Sequence, residues 1–250
     1  MKKVRLDQFL VERGLCESRE KAQRAILAGE VWIGCHRGLK ASQTVPPDAV
    51  VEVRGRDRYV GRGGHKLEGA LAHFSIPTEG ARCLDVGAST GGFTDCLLQH
   101  GAVRVVTIDV GTNQLHWKIR DDARVEAREG VNARGLTPAD FPGDFPFDLA
   151  VGDLSFISLR LILPAVLPLL RPGGLACFLI KPQFEAGRGE VGKGGIVRDD
   201  AVRERVVTGL RAWAAETFPG VVDRGVVPSQ LKGTDGNQEY LWALETGKNR

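Results

Sequence analysis

Residues 81–93, Ala81-Arg82-Cys83-Leu84-Asp85-Val86-Gly87-Ala88-Ser89-Thr90-Gly91-Gly92-Phe93, decide the fold. A short apolar run closes on a glycine-rich turn, and the residues behind it have helical character. A strand that ends in such a turn and opens a helix lets a small ligand approach the backbone at the carboxyl edge of a sheet. Downstream, residues 103–110 (VRVVTIDV), 147–154 (FDLAVGDL) and 175–181 (LACFLIK) are further β-rich runs, separated by intervals long enough for crossover helices. This alternation predicts an α/β protein with a doubly wound, mainly parallel sheet. The second strand ends in Asp109, 24 residues after Asp85, which suits a carboxylate accepting both hydroxyls of a cofactor ribose. The pattern predicts a nucleoside-cofactor site made of Asp85, Gly87, Ala88, Ser89, Gly91, Gly92, Phe93 and Asp109. Glu129 and Asn132, at the end of the run RVEAREGVN, are secondary candidates for holding adenine or ribose, with helix capping an equal alternative for Asn132.

Composition restricts the function classes. The chain is 42% hydrophobic and 26% charged, which supports a real core and excludes disordered and collagen-like classes. The five cysteines form no CxxC and no cluster at zinc spacing, so neither a disulfide framework nor a structural metal is expected. The longest oily stretch, Leu161–Leu170, holds two prolines and is too short to span a bilayer. No apolar signal core is seen at the N-terminus, and the expectation is a cytoplasmic protein without a membrane partner.

Charge is unevenly distributed. Residues 1–66 carry 14 Lys and Arg against 8 Asp and Glu, whereas residues 67–250 carry 20 against 23. The basic surface therefore belongs to the N-terminal quarter. There Leu6, Phe9, Leu10 and then Ala22, Ala25, Ile26 fall at helical spacing. Gly14 and Gly29 end the two helices, and Ser18 is a suitable N-cap for the second. Val31, Ile33, Val50, Val51 and Val53 suggest strands around a Pro46-Pro47 turn. Arg5, Arg19, Lys21 and Arg24 come close in sequence on this unit and suit phosphate contacts that position RNA without reading its bases. The stretch RGRDRYVGRGGHK, dense in Gly and Arg, reads as the boundary. The expected division is a small α+β domain over 1–58, a linker over 59–64 and a catalytic domain over 65–250.

Several motifs resemble known families. The run RLDQFLVERGLCESREKAQRAILAGEVWI is similar to the S4 RNA-binding domain, departing from it where Ile33-Gly34-Cys35 replaces the usual Val-Asn-Gly turn. Lys40 lies where that family often keeps a basic residue, and Arg62 is added as a further RNA-contacting candidate. DVGASTGGFTD resembles the first motif of the FtsJ-like, heat-shock 2′-O-methyltransferase family, where it cradles S-adenosylmethionine in a Rossmann-like fold. Lys66 in RGGHKLEGAL, Asp153 in VGDLSFISL, Lys181 in FLIKPQFE and Glu239 in GNQEYLWAL follow the order of that family's Lys-Asp-Lys-Glu tetrad. Taken over nearly its whole length, with KPQFEAGRGEVGKGGIVRD added, the chain resembles the TlyA family of rRNA 2′-O-methyltransferases, often labelled hemolysin A. That resemblance implies methyl transfer from S-adenosylmethionine to a cytidine ribose in ribosomal RNA, free or within a ribosomal subunit. The target is 23S and in some members also 16S; the short start MKKVRLDQFL resembles the type restricted to 23S.

Chemistry leaves two roles open for the lysines. A lysine with an ordinary pKa of about 10.4 is charged at neutral pH, so a general-base role for Lys181 requires desolvation or a neighbouring cation such as Lys66. Asp153 and Glu239 act in the opposite sense, and the alternative is an ammonium that holds the hydroxyl and the charge developing on it. Competing readings are weaker. Residues 187–194 nearly spell a P-loop, but Gly194 stands where Ser or Thr must hold magnesium; a loop closing over RNA is preferred. A non-catalytic S4 assembly factor is disfavoured by the intact tetrad, a pseudouridine synthase by the strand-helix alternation, and a pore-forming hemolysin by the lack of a membrane-active segment.

Overall fold

The computed structural model describes residues 3–53, 58–187, 189–233 and 235–247. It divides into two compact units, Met1–Arg58 and Tyr59–Arg250. Each has its own core.

In the first unit, β1 (Val4–Arg5) leads into α1 (Leu6–Glu12) and α2 (Arg19–Leu27), followed by β2 (Val31–Ile33), β3 (His36–Arg37), β4 (Thr44–Val45) and β5 (Val51–Val53). Helical spacing brings Leu6, Phe9 and Leu10 of α1 against Ala22, Ala25 and Ile26 of α2, all buried. Ser18 caps α2 as expected, its hydroxyl accepting the Lys21 N–H at 3.2 Å. β2 pairs antiparallel with β3 and β5, and β1 with β4. Val50 stays outside the strands and exposed.

The second unit runs α3 (Gly63–Phe74), β6 (Arg82–Val86), α4 (Gly92–Gln99), β7 (Arg104–Asp109), α5 (Trp117–Arg120), β8 (Val125–Glu129), β9 (Phe147–Gly152), α6 (Leu163–Val166), β10 (Leu170–Ile180), α7 (Pro182–Glu185), α8 (Asp200–Thr217), β11 (Val222–Pro228) and β12 (Tyr240–Glu245). Its seven-stranded sheet has the order β11-β12-β10-β9-β6-β7-β8. The five strands from β10 to β8 are parallel, and β12 is antiparallel to both its neighbours. Alternate strand residues face opposite layers. Leu84, Val106, Ala150 and Phe178 pack with Val206 and Leu210 of α8, while Cys83, Val105, Leu149 and Cys177 pack with Leu67 of α3 and Leu97 of α4. Both faces are covered, as a parallel sheet requires.

The chain order reverses between β6 and β9, whose ends align through Val86 opposite Gly152. Crevices for ligands open at such a switch point, outside the carboxyl ends of the strands. Because β12 is antiparallel, its first residue lies at the same edge: Tyr240 pairs with Ile180. Residues far apart in sequence, after β6, β9 and β10 and before β12, therefore meet there.

The expected linker over 59–64 is instead part of the second unit. Tyr59 is 1% exposed and joins the core beside Leu67 and Phe93. The Val60 N–H donates to Asp95 Oδ2 at 2.8 Å, and α3 has begun by Gly63. Two apolar residues among Gly and Arg are too few to show a periodicity, so the sequence hides this anchor. Arg54–Asp57, at the start of the expected boundary, and Arg188, in the P-loop-like stretch, lie outside the described residues.

Candidate active site

The glycine turn is built by backbone conformation. Gly87 has φ +81°, and a Cβ there would lie 3.1 Å from the Asp153 carbonyl oxygen. Gly91, at φ +92°, would bring a Cβ within 2.9 Å of Leu115. Only glycine adopts such angles freely while letting two loops approach this closely. The turn leads into α4, whose first residues Gly92 and Phe93 border a small recess at this edge. Ala88 and Phe93 are buried beneath it.

Asp109 sits at the end of β7. Its Oδ2 accepts the Ser89 N–H and its Oδ1 the Gly111 N–H, each at 2.7 Å. The carboxylate is thereby fixed at the wall of a cavity of about 580 Å³. Val131, Leu154, Ile157 and Ile162 give this cavity an apolar side, and Gly87, Ser89 and Asn132 a polar one. Volume, apolar slot and fixed acid match an adenosine-containing ligand. The residues fit the expected S-adenosylmethionine.

Of the polar cofactor candidates, Asn132 borders this cavity, whereas Glu129 and the buried Asp85 do not. The Oε1 of Glu129 accepts from Arg120 at 2.9 Å, and backbone N–H groups, chiefly that of Asn113, hold its carboxyl below the usual range. It therefore shapes the loop that presents Gln114 to the cavity. Asn132 borders the cavity but acts as a cap, its Oδ1 accepting the Arg134 N–H at 3.1 Å. That was the alternative left open for it.

Asp85 is fully buried one residue before the end of β6. Its Oδ2 accepts the Thr94 hydroxyl at 2.6 Å, and Oδ1 has no hydrogen-bond partner. Burial pushes its carboxyl up to about 7, against the Thr94 hydrogen bond. An unfolded aspartate titrates near 3.9, so the folded state binds the proton more tightly. Stability from this group is complete below about pH 4 and lost as pH rises through about 7. Asp85→Asn removes that loss. Chemical denaturation at pH 5 and pH 8 should therefore show the variant gaining relative to wild type at the higher pH; an unchanged difference would mean Asp85 is not the titrating group.

The tetrad residues lie at this edge as two ion pairs. Lys181 Nζ stands 2.7 Å from Asp153 Oδ1 and donates to Ser155 Oγ at 2.8 Å. Both Asp153 and Lys181 line a recess of about 170 Å³ that continues from Gly87 and Ser89. Lys66 donates to Glu239 Oε2 at 2.6 Å, and both are buried. The start of α3 lies close to Asp153: a Cβ on Gly63, one turn before Lys66, would stand 3.8 Å from Asp153 Oδ2. Each lysine thus faces a carboxylate, Lys66 bonded to Glu239 and Lys181 standing against Asp153. Among the described residues, no group of three or more His, Cys, Asp or Glu could hold a metal.

Sequence reading missed Ser155 and Phe156. Phe156 is 91% exposed, borders the cavity, contacts the Phe184 ring at 5.0 Å, and has φ +64°. An exposed aromatic held in the left-handed region of backbone space signals a functional constraint. The motif DLSFISL contained both, but nothing in its spacing separated them from Asp153.

The RNA-binding candidates fall into two classes. Asp7, buried, accepts from Arg5, Arg19 and Gln23; Arg5 first, with Gln23 and Arg19, holds its carboxyl well below the usual range. The unnoticed Asp7 thus gathers two of the arginines. Lys21 and Arg24 make surface pairs with Glu17 and Glu20, worth little in solution, and Lys40 is exposed on a turn. Arg62 belongs to the second unit, where it donates to the Lys232 carbonyl at 3.0 Å.

Comparison with known proteins finds relatives over nearly the whole chain. The FtsJ-like methyltransferase profile matches residues 59–246 and the S4 domain profile residues 4–51. The chain is 45% identical to the 16S/23S rRNA (cytidine-2′-O)-methyltransferase TlyA of Mycobacterium tuberculosis, over 100% of this chain and 92% of that protein. It is 43% identical to Hemolysin A of Brachyspira hyodysenteriae, over 95% and 98%. A solved structure from Streptococcus thermophilus carrying the hemolysin label superposes with a TM-score of 0.75 at 43% identity, covering 99% of this chain and 90% of that one. No helix among the described residues is long and apolar enough to cross a membrane. The chain belongs to the FtsJ-like methyltransferase family, in its TlyA group, with an S4 domain ahead of the methyltransferase fold.

Proposed function

We propose that the protein transfers a methyl group from S-adenosylmethionine to the ribose 2′-hydroxyl of a cytidine in ribosomal RNA, in the cytoplasm, with 23S rRNA as the primary target. The observation that carries this reading is the Lys181–Asp153 pair at 2.7 Å in a recess adjoining the adenosine-sized cavity. Asp109, the 87–92 turn and the Val131–Asn132 wall would hold the cofactor, which supplies a methyl group already activated by the sulfonium charge. The enzyme's own task is then to aim and prepare a poor nucleophile. Asp153 and Ser155 fix the Lys181 ammonium, which donates to the ribose oxygen and stabilises the charge that develops there. With the cofactor bound, the ribose oxygen would take the methyl group as the sulfur gives it up, and the hydroxyl proton would leave to solvent. Lys66 and Glu239 act behind this pair, anchoring α3 to the start of β12. Phe156 stands at the mouth, where a base drawn out of its stack finds an aromatic face.

Delivery of RNA is assigned to the S4 unit through Arg5, Arg19, Lys21, Arg24 and Lys40, with Arg62 contributing from the second unit. Lys21→Ala with Arg24→Ala removes two exposed cations without touching the Asp7 cluster. Binding to rRNA fragments should weaken, and the slope of log affinity against log salt should fall by about 1–2. An unchanged slope would assign the RNA contacts elsewhere. The direct test of the reaction is methyl transfer to rRNA itself, taken up at the end of the Discussion.

A further inference from the structure

We infer that Glu185 is a positioning residue for the methyl-transfer site, holding the loop after β9 to the turn after β10. This inference rests on the assignment of Lys181 and Asp153 to the reacting hydroxyl. Lys181 is the N-cap of α7 and Glu185 is its last residue, so one helical turn carries both. Glu185 Oε2 accepts the Ser158 hydroxyl and Oε1 accepts the Leu159 N–H, each at 2.7 Å. At the other end of the turn, Lys181 contacts Asp153 and Ser155. The two segments are therefore tied twice, on either side of the Phe156–Phe184 ring contact at 5.0 Å.

The double tie explains how Phe156 is kept in its unusual backbone state. A non-glycine residue at φ +64° persists only where its surroundings over-determine it. Ser155 is held by Lys181 on one side and Ser158–Leu159 by Glu185 on the other, which leaves the intervening residues little freedom. Asp153 begins the same loop, so its aim on Lys181 depends on the same frame. Glu185 contacts neither cavity that receives cofactor or substrate. It acts on the chemistry only through these bonds.

Glu185 is partly buried, and burial raises its carboxyl pKa, with the Ser158 and Leu159 hydrogen bonds acting against the shift. Both of its oxygens serve as acceptors. A glutamine retains one acceptor for the Leu159 N–H and presents an amide to Ser158, whose oxygen can accept in turn. The frame needs these bonds rather than the negative charge, so glutamine should restore what alanine loses.

The test compares Glu185→Ala, Glu185→Gln, Ser158→Ala and Lys181→Ala in the full chain, measuring kcat, RNA KM, binding of S-adenosylhomocysteine and thermal melting. Glu185→Ala is expected to lower kcat by on the order of 10²-fold, with S-adenosylhomocysteine affinity and melting close to wild type and most activity restored by Glu185→Gln. Ser158→Ala removes one arm only and should fall between them; it also keeps the test open should Glu185→Ala fail to fold. Wild-type kcat in Glu185→Ala, or a Glu185→Gln as impaired as alanine, overturns the positioning role. If Lys181→Ala is itself fully active, the underlying assignment fails and this inference with it. If Lys181→Ala is inactive while Glu185→Ala and Ser158→Ala are not, only the positioning role fails.

Discussion

Lys181→Ala should lower methyl transfer by about 10³-fold while binding S-adenosylmethionine nearly as well as wild type. The lysine lies in the smaller recess, 2.7 Å from Asp153 and 2.8 Å from Ser155, and is not among the residues around the adenosine-sized cavity. Alanine removes the donor aimed at the ribose oxygen and leaves Asp109 and the glycine turn untouched. Equilibrium binding and single-turnover transfer on one preparation separate the two effects. Loss of cofactor binding in parallel with activity would instead make Lys181 part of the cofactor site.

Glu239→Ala should destabilise the second unit by about 3–5 kcal/mol, the largest stability loss expected from any member of the tetrad. Lys66 is 8% exposed and Glu239 2%, so removing the carboxylate leaves an ammonium buried without its counter-charge. The pair ties α3 to the start of β12 across 173 residues. Lys66→Met combined with Glu239→Leu replaces both charges by apolar groups of similar size and should recover most of the lost stability, since a buried pair gains little over well-packed hydrophobic residues. Denaturant titration of the single and double variants distinguishes this from a purely catalytic role. A stable, inactive Glu239→Ala would show that the pair acts in the reaction rather than in holding the fold.

The parts of the fold legible in the sequence are those with local signals. Strands β6, β7, β9 and the second half of β10 read as apolar runs closed by Gly87, Asp109, Gly152 and Lys181, and the 87–92 turn is punctuated by glycines. Helices α1 and α2 show their buried faces at a spacing of three and four, and Ser18 announces the second. Features that depend on distant partners were not readable. Strand β11 carries Gly225 and ends in Pro228, so it lacks the pattern of a central strand and lies at the sheet edge. Tyr59 is identified as an anchor only by the core it enters, and Asp7 only by the arginines it gathers.

The same distinction runs through the site. Asp109 was visible because a strand-end acid at that spacing has a local meaning. Glu129 looked similar, yet its partners are Arg120 and the backbone of the loop at Asn113. The four tetrad residues were placed by resemblance, but their division into Lys66–Glu239 and Lys181–Asp153 is a property of the sheet. The antiparallel β12 brings Glu239 to the edge where β9 and β10 end. Each lysine's carboxylate partner favours the charged form, so the pairing supports an ammonium that holds the hydroxyl.

The central claim is tested most directly by transfer of radiolabelled methyl from S-adenosylmethionine to unmodified 23S and 16S rRNA, presented as free RNA and as subunits, followed by alkaline hydrolysis. A 2′-O-methyl group blocks cleavage at the adjacent phosphodiester, so label on a cytidine of 23S rRNA that survives in an alkali-resistant dinucleotide is the predicted result. Label on a base, or no label on either RNA despite measurable cofactor binding, would contradict the account and point to an S4-domain protein that binds the cofactor without methylating ribose.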